Sequence, residues 1–156
     1  MASYPVPPIV VSGPVPAPSE TVLAFVADTR NDPLWCSNVE TVEMLTSEPV
    51  RVGSKFRFHQ HLDRPGGKRL QFDVDVEITA LDDRSVTWRV DDRLQERVIT
   101  ITVTPTTGGS MVTQTTRASF KRSPGMTRWV YPVLARRIFK DQLSRLADIY
   151  AGTGAA

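Results

Sequence analysis

The sequence predicts an α+β protein in which a curved antiparallel sheet, made of one early strand and a later six-strand meander, wraps around a long C-terminal helix. Three observations predict it. Hydrophobicity alternates with a period of two from Glu40 to Lys121, and the last stretch switches to a helical period. Two of the alternating runs, 55–62 and 68–80, also match residue for residue when folded on Pro65-Gly66-Gly67. That fold pairs Leu62 with Leu70, Gln60 with Phe72, Phe58 with Val74 and Phe56 with Val76 on one face, apolar except for one amide. The other face pairs His61 with Gln71, His59 with Asp73, Arg57 with Asp75 and Lys55 with Glu77. A slip of one residue would invert both faces, so charge and apolarity together fix the register.

The elements follow in order. Six of the 12 prolines precede Ser19, so residues 1–8 form an extended Pro-rich arm and Ile9-Val10-Val11 an edge strand that tolerates prolines. Val22, Phe25 and Val26 recur at helical spacing over 19–28, with Ser19 as the N-cap. Asn31-Asp32-Pro33 restarts a short helix through Leu34, Trp35 and Cys36, since proline is tolerated in a first turn. The strands are 40–45, 55–62, 68–80, 85–90, 95–104 and 111–121, and short turn-forming gaps make them sequential antiparallel neighbours. Ser123-Pro124-Gly125 opens the helical end. From Ala135 the apolar stripe Ala135, Ile138, Phe139, Leu143, Leu146, Ile149 and Tyr150 marks an amphipathic helix of about four turns, with Pro132 beginning or kinking it and Gly152 stopping it. Residues 9–151 form one domain and 152–156 a flexible tail. The helix has one place to bury its stripe, the concave face of the twisted sheet.

Composition narrows the function. A chain of 156 residues can bury a real core, and its single cysteine, Cys36, excludes an internal disulfide and suits a reducing compartment. The first residues hold neither a signal peptide nor a membrane span, so the expectation is a cytoplasmic protein without membrane insertion, a monomer or homodimer. A net charge of +2, from 19 bases and 17 acids dispersed along the chain, argues against nucleic acid as a partner.

Ala17-Pro18-Ser19-Glu20-Thr21-Val22-Leu23-Ala24-Phe25, then Asp28, then Asn31-Asp32-Pro33-Leu34-Trp35, resembles the opening of the START-like helix-grip superfamily. Val52-Gly53-Ser54 and Gly108-Gly109-Ser110-Met111-Val112-Thr113 resemble its turn-to-strand phrases. The resemblance spans Ile9 to Ala151 and is closest to the polyketide cyclase/dehydrase and lipid-transport (SRPBCC) branch. It implies a sheet gripping its last helix around a pocket for a hydrophobic, aromatic, polyketide-like or lipidic ligand. It brings no catalytic consensus.

Within such a pocket the expected lining is Phe56, Phe58, Phe72 and Trp88. If Val90 pairs with Gln95, Trp88 faces Arg97, and a guanidinium over an indole would gain about 1–2 kcal/mol while still reaching a ligand oxygen. The other reading sends Arg97 to water at the open end of the sheet. Gln60, Gln114 and Thr116 turn polar groups inward, either toward a cavity or toward backbone partners. Trp35, Trp129 and Tyr131 fall at the pocket mouth, as gatekeepers or as packing. Arg97 and Tyr131 are the candidate catalytic groups of an enzymatic alternative. His59, His61 and Asp73 resemble a metal cluster only on paper, because the register puts them on the wet face. Arg136, Arg137, Lys140 and Arg145, with Asp141 and Asp148, read as a solvated helix face. No phosphate loop, nucleophile elbow or inward carboxylate pair appears, and neither cofactor nor metal is expected.

Overall fold

The computed structural model describes residues 3–154. In chain order it contains β1 (Tyr4–Pro5), β2 (Ile9–Val15), α1 (Ser19–Ala27), a 3-10 helix (Thr29–Leu34), β3 (Val39–Met44), β4 (Lys55–Arg64), β5 (Lys68–Leu81), β6 (Ser85–Asp91), β7 (Gln95–Thr106), β8 (Gly109–Phe120) and α2 (Thr127–Gly154). Strands β3 to β8 pair in sequence, each antiparallel to the last, and β1 and β2 both pair with β8. The result is an α+β architecture, an eight-stranded antiparallel sheet with a long C-terminal helix.

The β4–β5 register is the one charge and apolarity dictate: Arg64 faces Lys68, Gln60 faces Phe72, Phe58 faces Val74 and Lys55 faces Glu77. On the outer face Arg57 Nε lies 2.8 Å from Asp75 Oδ1, and His59 Nδ1 lies 2.6 Å from Asp73 Oδ1. The inner face carries Phe56, Phe58, Val74 and Val76 into the core. Burying side chains of this size contributes about 1.5–3 kcal/mol each.

Several expected boundaries move, each for a local reason. Part of the N-terminal arm is tied down, because Tyr4 and Pro5 pair with Phe120 and Ser119 and Val6 N–H donates to Ala118 O at 2.9 Å. Ser19 is the first helical residue and not the N-cap; Pro18 holds that place, and the Ser19 hydroxyl turns to Glu20 instead. The second short helix begins at Thr29, because Asp28 Oδ1 accepts from Arg30 N at 3.2 Å and caps it there. Helix α2 starts at Thr127, just after the expected opening at Ser123-Pro124-Gly125 and ahead of both Pro132 and the stripe from Ala135, and it runs through Gly152, its expected stop, to Gly154. At about 1.5 Å per residue its 28 residues span about 42 Å, roughly twice the expected four turns. Pro132 lies in its second turn, where it removes one backbone donor without ending the helix. Expectations for residues 1–2 and 155–156 fall outside the described residues.

Helix α2 packs on β2 through its second half, where Leu143 and Leu146 are buried. The two elements touch at Gly13, where a Cβ would make ordinary van der Waals contact with Leu143 Cβ at 3.7 Å. At the other end of β2 the chain turns against β8. Ser110 Oγ donates to Ala17 O at 2.5 Å, and a Cβ on Gly109 would collide with Val15 O and crowd Pro16 Cα at 3.1 Å. Only glycine fits that corner.

Candidate functional site

The concave face of the sheet does not pack solid against its cover. Beneath the 3-10 helix and α2 lies a cavity of about 110 Å³. Its floor follows the period of two: Phe58 and Gln60 from β4, Val74 and Val76 from β5, Trp88 and Val90 from β6, Arg97, Ile99 and Ile101 from β7, and Gln114 from β8. Thr29, Asp32, Trp35, Cys36 and Asn38 roof it, and Phe139 and Gln142 of α2 close the side. Gln142 Nε2 donates to Asn38 Oδ1 at 3.4 Å, tying the helix to the roof. The roof is clamped from outside. Arg30 grips Asp28 at 2.7 Å and also binds Glu48, and Asn31 Nδ2 donates to Phe25 O at 3.0 Å. Hydrogen bonds from Arg30 hold the Asp28 carboxyl below the usual carboxylate range.

Thr29 Oγ1, Trp88 Nε1 and Arg97 Nε of the cavity wall are buried without a protein partner, and Asp32 Oδ1 and the Trp35 indole N–H, also buried, face each other without a well-formed hydrogen bond. Asp32 is half-buried as a residue, yet its Oδ1 is shut off from solvent. Loss of hydration pushes its carboxyl well above the ordinary carboxylate range, partly opposed by the Trp35 indole. Cys36 beside it is buried, and burial with the nearby Asp32 pushes its thiol up as well. At the sheet's far end Arg97 Nη2 stands 3.7 Å from Asp92 Oδ2. Burial raises the Tyr131 hydroxyl, opposed by the charge of Arg97 close by.

Of the residues singled out from sequence, the fold brings Trp35, Phe58, Gln60, Trp88, Arg97 and Gln114 together on the cavity. The others stand elsewhere. Phe56 is fully buried in the core, away from the cavity wall. Thr116 is fully buried one inward step beyond Gln114, opposite Ile99, and does not reach the space. Phe72 is 38% exposed, because the β4–β5 hairpin overhangs the end of β6, which pairs with β5 only from Val76 onward. Trp129 is 73% exposed and neither gates nor packs, since the first turns of α2 project from the sheet. Tyr131 packs edge-on against Phe120, ring centroids 5.5 Å apart, outside the cavity lining.

The expected pairing of Arg97 with Trp88 is shifted by one inward step. Arg97 faces Val90 and Trp88 faces Ile99, because Asp92 Oδ1 accepts from Leu94 N and Gln95 N and so centres the turn one residue later than expected, with Asp91 pairing with Glu96. The cation–π contact found is Arg128 over Trp129 at 5.9 Å. His59 and His61 face outward, His61 Nδ1 lying 3.2 Å from Glu40 Oε1, and no group of three metal-ligating side chains occurs among the described residues. Sequence reasoning missed Asp32, Asn38 and Gln142. No periodicity or spacing in the sequence marked Asp32, which is the fourth residue of the 3-10 helix and faces the space that helix covers.

No helix among the described residues is long and apolar enough to cross a membrane. Among solved structures the fold is shared with TTHA0849 from Thermus thermophilus, at 18% identity and a TM-score of 0.72, covering 94% of this chain and 99% of that one. It is shared with SA2116 from Staphylococcus aureus, a protein of unknown function, at 13% identity, TM-score 0.75, and 99% and 98% coverage. The di-domain ARO/CYC StfQ of the steffimycin biosynthetic pathway matches at 14% identity and TM-score 0.73 over 98% of this chain, which spans 53% of that protein. Comparison with curated proteins gave no match. The family model for polyketide cyclase/dehydrase and lipid transport matches residues 9–150, and the chain belongs to that family.

Proposed function

We propose that this protein binds a compact, largely apolar ring compound bearing hydrogen-bond-accepting oxygens, in the cavity between sheet, 3-10 helix and α2. The observation that carries the reading is the set of partnerless polar atoms around an otherwise apolar space. Two of them, the indole N–H of Trp88 and the Arg97 Nε–H, are donors only, so the complementary guest presents acceptors such as keto, enolate or carboxylate oxygens. Unmet, each costs about 1–3 kcal/mol, and a guest that meets them recovers that cost. Size sets the rest of the class. A dry cavity of roughly 150 Å³ takes up benzene, so about 110 Å³ suits one ring of a larger aromatic, polyketide-like or lipidic molecule. Val74, Val76, Ile99 and Ile101 supply apolar burial at about 25 cal/mol per Å², while Gln60, Gln114 and Arg97 orient the guest.

Native mass spectrometry of the freshly purified protein tests this reading: a co-purified small molecule is expected, and it is lost in Phe58→Trp. A guest retained undiminished by Phe58→Trp places the binding site elsewhere. The single thiol fits a reducing compartment, which we take to be the cytoplasm.

A cyclase/dehydratase reading is favoured by one observation, a carboxyl group lining the cavity with one oxygen shut off from solvent, where burial raises its pKa. In that reading Asp32, in its acid form, donates its proton to a guest carbonyl oxygen as carbon–carbon bond formation shifts the π electrons onto it, while the Arg97 cation balances the carboxylate charge left behind and Tyr131 sets the electrostatics beyond it. Asp32→Asn and Arg97→Met each then lower turnover of a polyketone substrate by roughly 100-fold or more, and unchanged turnover removes the residue from the mechanism.

A further inference from the structure

Helix α2 has two apolar faces where a helix packed on one side needs a single one. The inner face buries Ala135, Leu143 and Leu146. On the outer side Met126, Trp129, Val130, Val133, Leu134 and Ile138 recur at i, i+3, i+4, i+7, i+8 and i+12, all on one face and all exposed, Met126 at 82%. The cations around this stripe are equally one-sided. Residues 121–140 contain Lys121, Arg122, Arg128, Arg136, Arg137 and Lys140 and no aspartate or glutamate. Lys121 pairs with Asp91, while the other five have no carboxylate partner among the described residues.

We propose that the outer face of the first half of α2 docks on an anionic lipid bilayer, with Trp129, Val130 and Val133 entering the headgroup boundary and the arginines and lysine meeting lipid phosphates. An exposed tryptophan among aliphatics, bordered by unpaired cations, is the composition that lies in a bilayer interface without crossing it. A second copy of the chain is the poorer occupant. A two-fold contact through this face would set Arg128, Arg136, Arg137 and Lys140 against their own copies with no acid in the segment to neutralise them. The docking stands independently of what the cavity holds.

Flotation of the full chain with phosphatidylcholine vesicles, with and without phosphatidylglycerol, tests it. Binding is expected only to the anionic vesicles, is weakened by salt, and is accompanied by a blue shift of tryptophan emission. Trp35 and Trp88 are only 3% and 5% exposed, so that shift reports Trp129. Val133→Asp lowers partitioning by at least about tenfold, and Arg137→Glu by roughly fivefold or more. Both positions are exposed, so the fold survives, and an unchanged far-ultraviolet circular dichroism spectrum and urea midpoint check it. Absence of binding to anionic vesicles overturns the proposal and leaves the face to a protein partner. So does a dimer in solution that Val133→Asp dissociates, which would give the face to a second copy.

Discussion

Asp32 shows what a carboxyl on the cavity wall costs the fold. Its carboxyl is kept above the ordinary range by burial, so the folded state holds the proton more tightly than the unfolded chain does. A raised folded value gives a stability contribution that is fully present below the unfolded pKa, near ~3.9, and is lost as pH rises toward the folded one. Asp32→Asn removes that loss. The variant is expected to be more stable than the parent at neutral pH by about 1–3 kcal/mol, with the advantage vanishing near acid pH, as read from urea midpoints across pH. The opposite slope would mean that Asp32 is ionised in the fold. Asp32 was not legible in the sequence, because Asn31-Asp32-Pro33 signals that a short helix is near and not what lies beneath it. Arg97 was legible as an inward residue by strand parity, but its neighbour was not, since sliding the turn by one residue leaves its length unchanged and only the Asp92 carboxylate, accepting from Leu94 N and Gln95 N, fixes where it sits.

At the scale of elements, what the sequence revealed best was what two chains of residues must satisfy together. The β4–β5 register emerges from the sequence because charge on one face and apolarity on the other had to agree at every pair. The overhang that exposes Leu62, Leu70 and Phe72 did not emerge, because it depends on where a third strand stops. The corner between β2 and β8 offers a sharper test of element packing. Gly109→Ala drives a methyl into Val15 O, with backbone on every near side, so relief requires β2 and β8 to part. A loss of about 1–3 kcal/mol is expected in chemical denaturation, whereas Gly66→Ala, at a turn with nothing within 4 Å, is strained only through its positive φ of 86°. Equal effects would mean that the corner yields.

Over the whole molecule, the helix is gripped along half its length. Thr127, Arg128, Trp129 and Val130 are all exposed and the first anchor is Tyr131 on Phe120, while Gln142, Leu143 and Leu146 are sealed against the sheet. Hydrogen exchange is therefore expected to be fast over residues 127–134 and slow over 139–150, and uniform protection would show the first half to be docked. The sequence indicated that the helix would be clasped, because its stripe from Ala135 onward had one surface to meet. It did not indicate a second stripe on the opposite side, because exposure is a property of the assembled molecule and not of periodicity.

The lone thiol of Cys36 forms part of the cavity roof, out of reach of solvent. That makes it a built-in stopwatch: a thiol-specific dye can reach it only when the 3-10 segment lifts, so the labelling rate times how often the chamber unlatches. A molecule lodged inside should slow the dye, and an unlabelled fraction that rises with each added compound would rank candidate guests before any of them is named.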